Sequence, residues 1–237
     1  MGTKINIVYS LTRNLYPQLE VTIRSAIEHN PDAMIYVLAE DDELPFRIPV
    51  DHRILNMSGQ QYFPPDGPNM KNAFTYMAML RSQTAEILPE DRAIQLDVDT
   101  IVCESLEPIW SIDMTGKWVA WCEETFGRWK PFGPKYYNFG VAVLNLEQMR
   151  ADRAPEYMAK ALNTVQVPFI DQDIMNMFAL PDKTIALDPR WNESFCCGQS
   201  GRPGIVHYAG FPDWFTNEAV PRRDYLEKYL RRSESFD

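Results

Sequence analysis

The sequence predicts an α/β fold built as one enlarged domain. Three observations lead to this prediction: a globular composition, a strand–helix–strand pattern at the start of the chain, and further strand signals spread towards its end. The 237 residues are 45% hydrophobic and 24% charged, which is typical of globular proteins and excludes disorder, collagen and coiled coil. A chain of this length can bury a full core in a single α/β domain.

The first elements form a β-α-β unit. Ile5, Ile7 and Val8 make a short apolar run, and residues 17–30 carry apolar side chains at helical spacing. A second apolar run follows at residues 35–38. Two strands joined by a helix imply parallel pairing with a right-handed crossover.

Later segments continue this alternation. A turn-rich stretch at residues 63–69 precedes a predicted helix in which Phe74, Met77, Ala78 and Arg81 share a face. A helix is also predicted at residues 171–180, with Ile174, Met177 and Phe178 facing a core. Further strands are predicted at residues 93–102, 117–122, 140–146, 184–187 and 204–208.

Charge and cysteine content limit the partners and the compartment. The formal net charge of −10 opposes non-specific attraction to nucleic acid and anionic lipid. The cysteines contain no C-x-x-C pair, and vicinal cysteines cannot easily form a disulfide. The first residues make too short an apolar run for a signal peptide or a spanning helix. We therefore expect a cytoplasmic protein with reduced thiols, at Cys103, Cys122, Cys196 and Cys197.

The chain is expected to divide into a main domain, residues 1–216, and a basic helical extension, residues 217–237, packed on it. One interpretation of the extension is a helix lying on a membrane surface. The other is a surface helix packed through its apolar stripe, which the acidity of the remaining chain favours. The cations are Arg222, Arg223, Lys228, Arg231 and Arg232, and the stripe is Tyr225, Leu226, Tyr229 and Leu230.

Two aspartates, Asp97 and Asp99, follow a predicted strand. In open α/β sheets the ligand crevice lies at the carboxyl ends of the strands. Residues i and i+2 of an extended chain point to the same face, so both carboxylates could converge on one hard cation. The alternative is a solvated strand end with two unrelated aspartates.

Four sequence blocks carry a family resemblance: AIQLDVDTIVCESLEPIW (93–110), YYNFGVAVLNLEQMR (136–150), DQDIMN (171–176) and IVHYAG (205–210). They resemble, in the same order, the motifs of the retaining glycosyltransferases of family 8, which include glycogenin and the lipopolysaccharide galactosyl- and glucosyltransferases. Each block alone is a weak signal, but their joint occurrence is a strong one.

The resemblance implies a GT-A fold, a single Rossmann-like nucleotide-sugar-binding domain with a mixed central sheet. It implies a divalent metal held by Asp97, Asp99 and His207, and transfer of glucose or galactose from a UDP-sugar with retention at the anomeric carbon. Two carboxylates and a neutral imidazole suit Mn²⁺, whereas Mg²⁺, the second candidate, would prefer an all-oxygen shell. His207 would also fit a hydrogen-bonded core histidine.

The resemblance also implies further site residues. Asp171 and Gln172 would lie beneath the donor sugar, Asn138 next to it, and Glu124 near the metal and the acceptor. Each has a structural alternative: a helix N-cap for Asp171, a turn residue for Asn138, and an exposed carboxylate for Glu124. The implied nucleotide contacts are Val8, Tyr9, Ser10, Asn14, Asp97, Val98, Asp99 and Gly210.

Some positions depart from the family pattern. Thr12 stands where an aspartate usually reads uracil, and Leu15 stands where a tyrosine usually stacks on it, with Tyr16 one residue later. Aligned without gaps, Met79 replaces an arginine, and Asp213 occurs where a lysine is expected. Both cations normally touch the diphosphate. Candidates to replace them are Lys71, Arg81, Arg13 and Lys135.

Three functions fit these observations. The first is the metal-dependent retaining enzyme. The second is a sugar-nucleotide-binding protein with weak or lost turnover, which the missing cations support. The third is the same enzyme class with another nucleotide, which Thr12 and Leu15 support. The acceptor could be a glycan, a lipid-linked sugar or a protein. Four aromatic residues could stack on an acceptor sugar or belong to the core: Trp129, Phe132, Tyr136 and Tyr137.

Overall fold

A computed structural model describes residues 4–72, 74–125 and 134–230. The strands are β1 (Asn6–Ser10), β2 (Met34–Ala39), β3 (His52–Asn56), β4 (Arg92–Leu96), β5 (Thr100–Val102), β6 (Val119–Glu123), β7 (Tyr137–Asn145), β8 (Thr184–Ala186) and β9 (Ile205–His207). Seven of them form one sheet in the order β3-β2-β1-β4-β7-β6-β8, and β5 pairs with β9 in a second, two-stranded sheet.

The helices lie between these strands. They are α1 (Tyr16–His29), α2 (Tyr76–Leu80), α3 (Thr84–Ile87), α4 (Glu107–Trp110), α5 (Leu146–Ala151), α6 (Ala154–Leu162), α7 (Ile170–Ala179) and α8 (Arg223–Leu230). Short 3₁₀ turns occupy Arg13–Leu15, Arg81–Gln83 and Pro189–Asn192.

The main sheet is mixed. Strands β3, β2, β1 and β4 are parallel to one another, whereas β7 runs antiparallel to both β4 and β6. The opening β1-α1-β2 unit has the predicted parallel pairing, with Asn6 opposite Met34. The predicted mixed α/β architecture is confirmed.

Side-chain alternation along the strands divides the core between the two faces of the sheet. Ile7 and Tyr9 of β1 pack in one cluster with Leu19 and Ile23 of α1. Val8 points to the other face, in a cluster that includes side chains from α2, α6 and α7. Both faces of the central strands are therefore buried, which is why these strands are almost continuously apolar.

The predicted strand at residues 93–102 is interrupted. Strand β4 ends at Leu96, a turn follows, and β5 then pairs with β9 instead of the main sheet. The Thr22 hydroxyl of α1 lies 2.8 Å from the Val98 carbonyl oxygen and 2.9 Å from that of Thr100. Because these contacts hold the chain away from the main sheet, Asp97 and Asp99 approach each other across a turn and not by strand alternation.

Two helix predictions are wrong in detail. Phe74 precedes α2 and is 44% exposed, because the Asn72 side chain accepts the Phe74 N–H and binds the carbonyl of Val167. In α7, Met177 is 46% exposed although Ile174 is buried. Asp171 lies inside α7 and is not its N-cap.

The C-terminal helix α8 packs on α1. Leu226 and Tyr229 share a buried cluster with Val21 of α1. Basic side chains in and next to α8 form ion pairs within the chain: Lys228 pairs with Glu28, and Arg222 pairs with Glu193.

Four residues named in the sequence analysis lie outside the described residues: Arg231, Arg232, Trp129 and Phe132. No helix within the described ranges combines the length and apolar character needed to cross a membrane.

Candidate functional site

A cavity of about 560 Å³ opens beside the carboxyl ends of β1 and β4. The end of β1 contributes Ser10, and the turn after β4 contributes Asp97, Val98 and Asp99. This is the edge of an α/β sheet at which ligands are expected. Other polar lining residues are Arg81, Glu124, Asn138, Asp171, Gln172 and His207.

Three side chains of metal-ligand type meet in this cavity. Asp97, Asp99 and His207 each place one potential ligand atom within 4.8 Å of the other two. His207 Nε2 lies 3.1 Å from Asp99 Oδ1 and 3.7 Å from Asp97 Oδ2. The β5–β9 pairing, with Thr100 opposite His207, brings the distant imidazole to the turn. Two carboxylates and one imidazole nitrogen fit a divalent cation such as Mn²⁺.

Gly140 of β7 leaves the space that this arrangement needs. A Cβ at this position would lie 2.2 Å from His207 Cε1 and 2.8 Å from Asp97 Oδ2. The Gly140 carbonyl also accepts the Asp97 N–H at 2.8 Å. Any side chain here would therefore displace the imidazole or the turn.

The environment shifts the pKa values of two carboxyl groups of the cavity in opposite directions. Burial opposes ionisation of Asp99, but the adjacent His207, by charge and hydrogen bonding, brings the pKa of the Asp99 carboxyl below its usual value. At Asp171 burial outweighs the opposing influence of Arg81, and the pKa of Asp171 is raised. The Asp99 carboxyl therefore ionises more readily than that of Asp171.

Asp97, Asp99 and His207, which could hold a cation, are called the cation cluster. Arg81 links this cluster to α7. Its Nε donates to Asp171 Oδ2 at 2.6 Å, and its Nη1 donates to Asp97 Oδ1. The position two residues after Met79 carries a cation, Arg81. Met79 is buried in the core, whereas Arg81 faces the cavity.

The other proposed replacement cations do not line the cavity. Arg13 pairs with Glu40 and Asp41, and Lys135 pairs with Glu123. Lys71 is exposed. Arg81 is therefore the one cationic side chain among the described residues that line the cavity.

Two side-chain amides and a buried carboxylate form one wall of the cavity. Asn138 Nδ2 and Gln172 Nε2 both donate to Glu124 Oε1, at 3.1 and 3.3 Å. Gln172 Nε2 also donates to the Tyr136 hydroxyl, and its Oε1 accepts the Phe139 N–H at 3.0 Å. Glu124 is 8% exposed, so it is not the exposed carboxylate of the alternative interpretation. This network holds the Gln172 amide in one orientation.

The residues expected to contact the nucleotide divide into two groups. Ser10, Val98 and Gly210 line the cavity together with the two aspartates, as do Leu11 and Leu15. The side chains of Val8 and Tyr9 lie in the core. Asn14 is not part of the cavity lining, and its Oδ1 accepts a hydrogen bond from the Thr12 hydroxyl.

Several aromatic residues also have defined positions. Tyr16 donates its hydroxyl to Asp41 at 2.9 Å and does not line the cavity. Tyr136 and Tyr137 are buried, and Tyr137 stacks on Trp121 with ring centroids 5.2 Å apart. These two tyrosines are core aromatics, so the apolar cavity wall consists of other side chains, including Phe74, Phe169, Phe211 and Trp214.

Comparisons with known proteins agree with this geometry. The model of Glycosyl transferase family 8 matches residues 6–211. Glycosyltransferase GlyD of Streptococcus pneumoniae is 31% identical over 160 residues, which cover 63% of this chain and 18% of GlyD. General stress protein A of Bacillus subtilis is 25% identical over 222 residues, covering 81% of this chain and 76% of that protein.

Solved structures show the same fold. Galactosyltransferase LgtC, in complex with donor and acceptor sugar analogs, superimposes with a TM-score of 0.73 at 18% identity, covering 98% of each chain. The chain spans less than two thirds of the length of several sequence relatives, 58% for one from Haemophilus influenzae. The family match, the mixed sheet and the position of the cavity lead to one conclusion: the chain is a glycosyltransferase of family 8 with the GT-A fold.

Proposed function

We propose that this protein transfers a hexose, glucose or galactose, from a UDP-sugar to a hydroxyl acceptor, with retention at the anomeric carbon and dependence on a divalent metal. The observation that carries the proposal is the charge of the cavity. Its described lining contains four acidic side chains, Asp97, Asp99, Glu124 and Asp171, and one cation, Arg81. Such a cavity would repel a diphosphate unless a further cation entered with it.

Asp97, Asp99 and His207 would hold that cation, and Mn²⁺ fits their mixed oxygen and nitrogen ligands. When bound, the metal would supply Lewis-acid stabilisation of the charge that develops on the leaving diphosphate. Arg81 cannot replace it, because its guanidinium is already shared between Asp97 and Asp171.

The chain's own residues would position the donor. Gln172 is held by Phe139 and Glu124 and borders the cavity next to Asp171, which supports a role beneath the sugar. Both Asp171 and Glu124 are occupied, by Arg81 and by two amides. This supports a front-face reaction through an oxocarbenium-like ion pair, with catalysis by electrostatics and positioning.

The first experiment measures UDP release from UDP-glucose and UDP-galactose with Mn²⁺. We expect turnover in the wild type and its loss in Asp99→Asn. A matched control is Asp32→Asn, which makes the same chemical change at an exposed position that does not line the cavity. Equal turnover in Asp99→Asn and wild type would contradict the proposal. NMR of the product's anomeric proton tests retention.

A second candidate is binding without efficient turnover, and one observation favours it. Arg81, the one cation among the described lining residues, is already paired with two carboxylates and would contribute little to phosphate binding. Calorimetry with UDP and Mn²⁺ separates the two functions. Binding accompanied by UDP release supports the enzyme, whereas binding without release supports the second candidate.

The nucleotide base is proposed as uracil and tested separately. Leu11 and Leu15 give the cavity an apolar surface near the end of β1, which would contact any base. A thermal-shift panel with UDP-, GDP- and CMP-sugars distinguishes them, because a ligand that binds the native state raises the unfolding temperature. A larger shift with GDP or CMP donors would overturn the UDP assignment.

The setting of the reaction is proposed as a reducing compartment, such as the cytoplasm. All four cysteines are free thiols, and burial raises the pKa of the Cys103 and Cys122 thiols to about 12. The acceptor would be a hydroxyl on a glycan, a lipid-linked sugar or a protein.

A further inference from the structure

Asn192 contacts the metal-ligand histidine from outside the cavity. It is fully buried, and its Oδ1 lies 2.8 Å from His207 Nδ1. The 3₁₀ turn Pro189–Asn192 carries it there. The preceding Trp191 packs so closely on Gly204 that a Cβ at Gly204 would lie 2.6 Å from the indole ring.

Asn192 belongs to a chain of hydrogen bonds whose direction is set by the backbone. The Gly140 N–H lies 3.0 Å from the side-chain oxygen assigned to Asn138. A backbone N–H can only donate, so the Asn138 atom facing it must be the carbonyl oxygen. The Asn138 amino group then faces Glu124 Oε1, an acceptor, at 3.1 Å. Both neighbours therefore require the same orientation of the Asn138 amide.

This orientation determines the next two links. Asn138 Oδ1 also faces the Asn192 side chain at 2.9 Å, so Asn192 must present its amino group there. Its carbonyl oxygen is left to face His207, and the proton between them must belong to His207 Nδ1. The other ring nitrogen, Nε2, is the one directed at Asp97 and Asp99.

We propose that Asn192 is a positioning residue for the cation cluster. It accepts the proton of His207 Nδ1, fixes the ring orientation and leaves Nε2 as the ligand nitrogen. A hydrogen bond to the non-ligating nitrogen of a metal-binding histidine fixes its tautomer and orientation. The proposal rests on the proposed function, because it takes Asp97, Asp99 and His207 as the metal ligands.

The first test needs no metal. The chain has three histidines, so long-range ¹H–¹⁵N spectra of histidine-labelled protein can be assigned with His29→Gln and His52→Gln variants. In the wild type we expect a slowly exchanging proton on Nδ1 of His207. It should persist in N192D, which keeps an acceptor oxygen, and be lost in N192L. A His207 ring without a protected Nδ1 proton, or the same signal in N192L, would overturn the proposal.

The second test measures Mn²⁺ affinity by electron paramagnetic resonance of the free ion. We expect N192L to bind Mn²⁺ about 10- to 100-fold more weakly than the wild type, and N192D to bind at least about tenfold more tightly than N192L. The matched control is E193Q, at the adjacent buried residue. It should lower stability without changing the affinity, since the Glu193 carboxylate bonds to Ser200 and Arg222 and not to His207.

The outcomes separate the two proposals. If folded wild-type protein binds no Mn²⁺, the proposed metal-dependent function fails. If the wild type binds Mn²⁺ and N192L binds it equally well, the role of Asn192 fails and the proposed function stands. The spectrum of the wild type remains decisive if N192L does not fold.

Discussion

Two carboxylate sites in this protein differ in how their oxygens are used. In the first, Glu193 Oε1 accepts from Arg222 Nε at 2.6 Å, and Oε2 accepts from the backbone and hydroxyl of Ser200. In the second, Asp97 and Asp99 lie close to one imidazole, and Asp97 Oδ1 also accepts from Arg81 Nη1. Glu193 is 2% exposed, whereas the aspartate side chains are 29% and 25% exposed.

The difference separates a structural cluster from a candidate binding cluster. Every oxygen of the buried Glu193 has a donor from the protein, as burial of a charge requires. The cation cluster instead keeps two acids partly open to the cavity. Polar groups that are not satisfied by the protein are the ones available to a ligand.

The largest effect is expected from removing a proposed metal ligand. Asp99→Asn should lower sugar transfer on the order of 1000-fold, since a bound metal supplies several kcal/mol of charge stabilisation. The wild type should also gain thermal stability when Mn²⁺ is added, and Asp99→Asn should not. Thermal scans with and without Mn²⁺ measure this. An equal Mn²⁺-dependent shift in both proteins would mean that Asp99, like Glu193, is a structural carboxylate that does not hold the metal.

A smaller but clear effect is expected from Gly140→Ala. The added methyl would lie 2.2 Å from His207 Cε1, so the imidazole must move away from Asp97 and Asp99 or the backbone must shift. Mn²⁺ affinity, measured by titration, should fall about 10- to 100-fold. The matched control is Gly59→Ala, where no atom lies within 4 Å of the new methyl. Equal Mn²⁺ affinity in the two variants would contradict the close approach of residue 140 to the His207 imidazole.

Glu193→Gln should change stability and not metal affinity. Removing a charged partner from buried hydrogen bonds should cost about 1 to 3 kcal/mol of unfolding free energy at pH 7. Burial opposes ionisation of Glu193, but Ser200 and Arg222 bring the pKa of Glu193 below its usual 4.5. Its stabilising contribution is therefore present above pH 4.5 and disappears as the pH falls through the lower, native-state pKa.

Urea unfolding at several pH values checks this sign. The difference between wild type and Glu193→Gln should shrink steadily below pH 4.5. A difference that stayed constant down to pH 2 would show that the ionised Glu193 is not what stabilises this cluster.

The smallest effect is expected at the exposed ion pair between α8 and α1. Lys228 and Glu28 have side chains that are 42% and 31% exposed, so Lys228→Ala should cost only about 0.5 kcal/mol. Leu226→Ala, in the fully buried stripe of the same helix, should cost about 2 to 5 kcal/mol. Denaturant unfolding of both variants compares them. Similar costs would mean that charge, and not burial, attaches α8.

Local sequence patterns predicted much of the fold. The β1-α1-β2 unit follows from short apolar runs and helical spacing, which are encoded within a few residues of each other. Strand β3 was not predicted, because its sequence, HRILN, begins with two exposed polar residues and contains only two apolar ones. The break after Leu96 was not predicted either, since it depends on Thr22, a residue of α1 far away in the chain.

The candidate site shows the same limit. The aspartate pair and His207 were predicted from motifs, but the motifs did not show which of Lys71, Arg81, Arg13 and Lys135 enters the cavity. The choice depends on which side chain reaches Asp97 and Asp171 after folding. Asn192 carried no sequence signal, because a lone buried asparagine resembles any turn residue.

The sequence by itself determined the alternation of strands and helices, the family and the acidic pair at a strand end, because periodicity and motifs are properties of short segments. Only the tertiary structure decided that Arg81 enters the cavity, that the chain turns between Leu96 and Thr100, and that Asn192 supports His207. Each of these depends on contacts between segments far apart in the chain, and such contacts exist only after the core has packed.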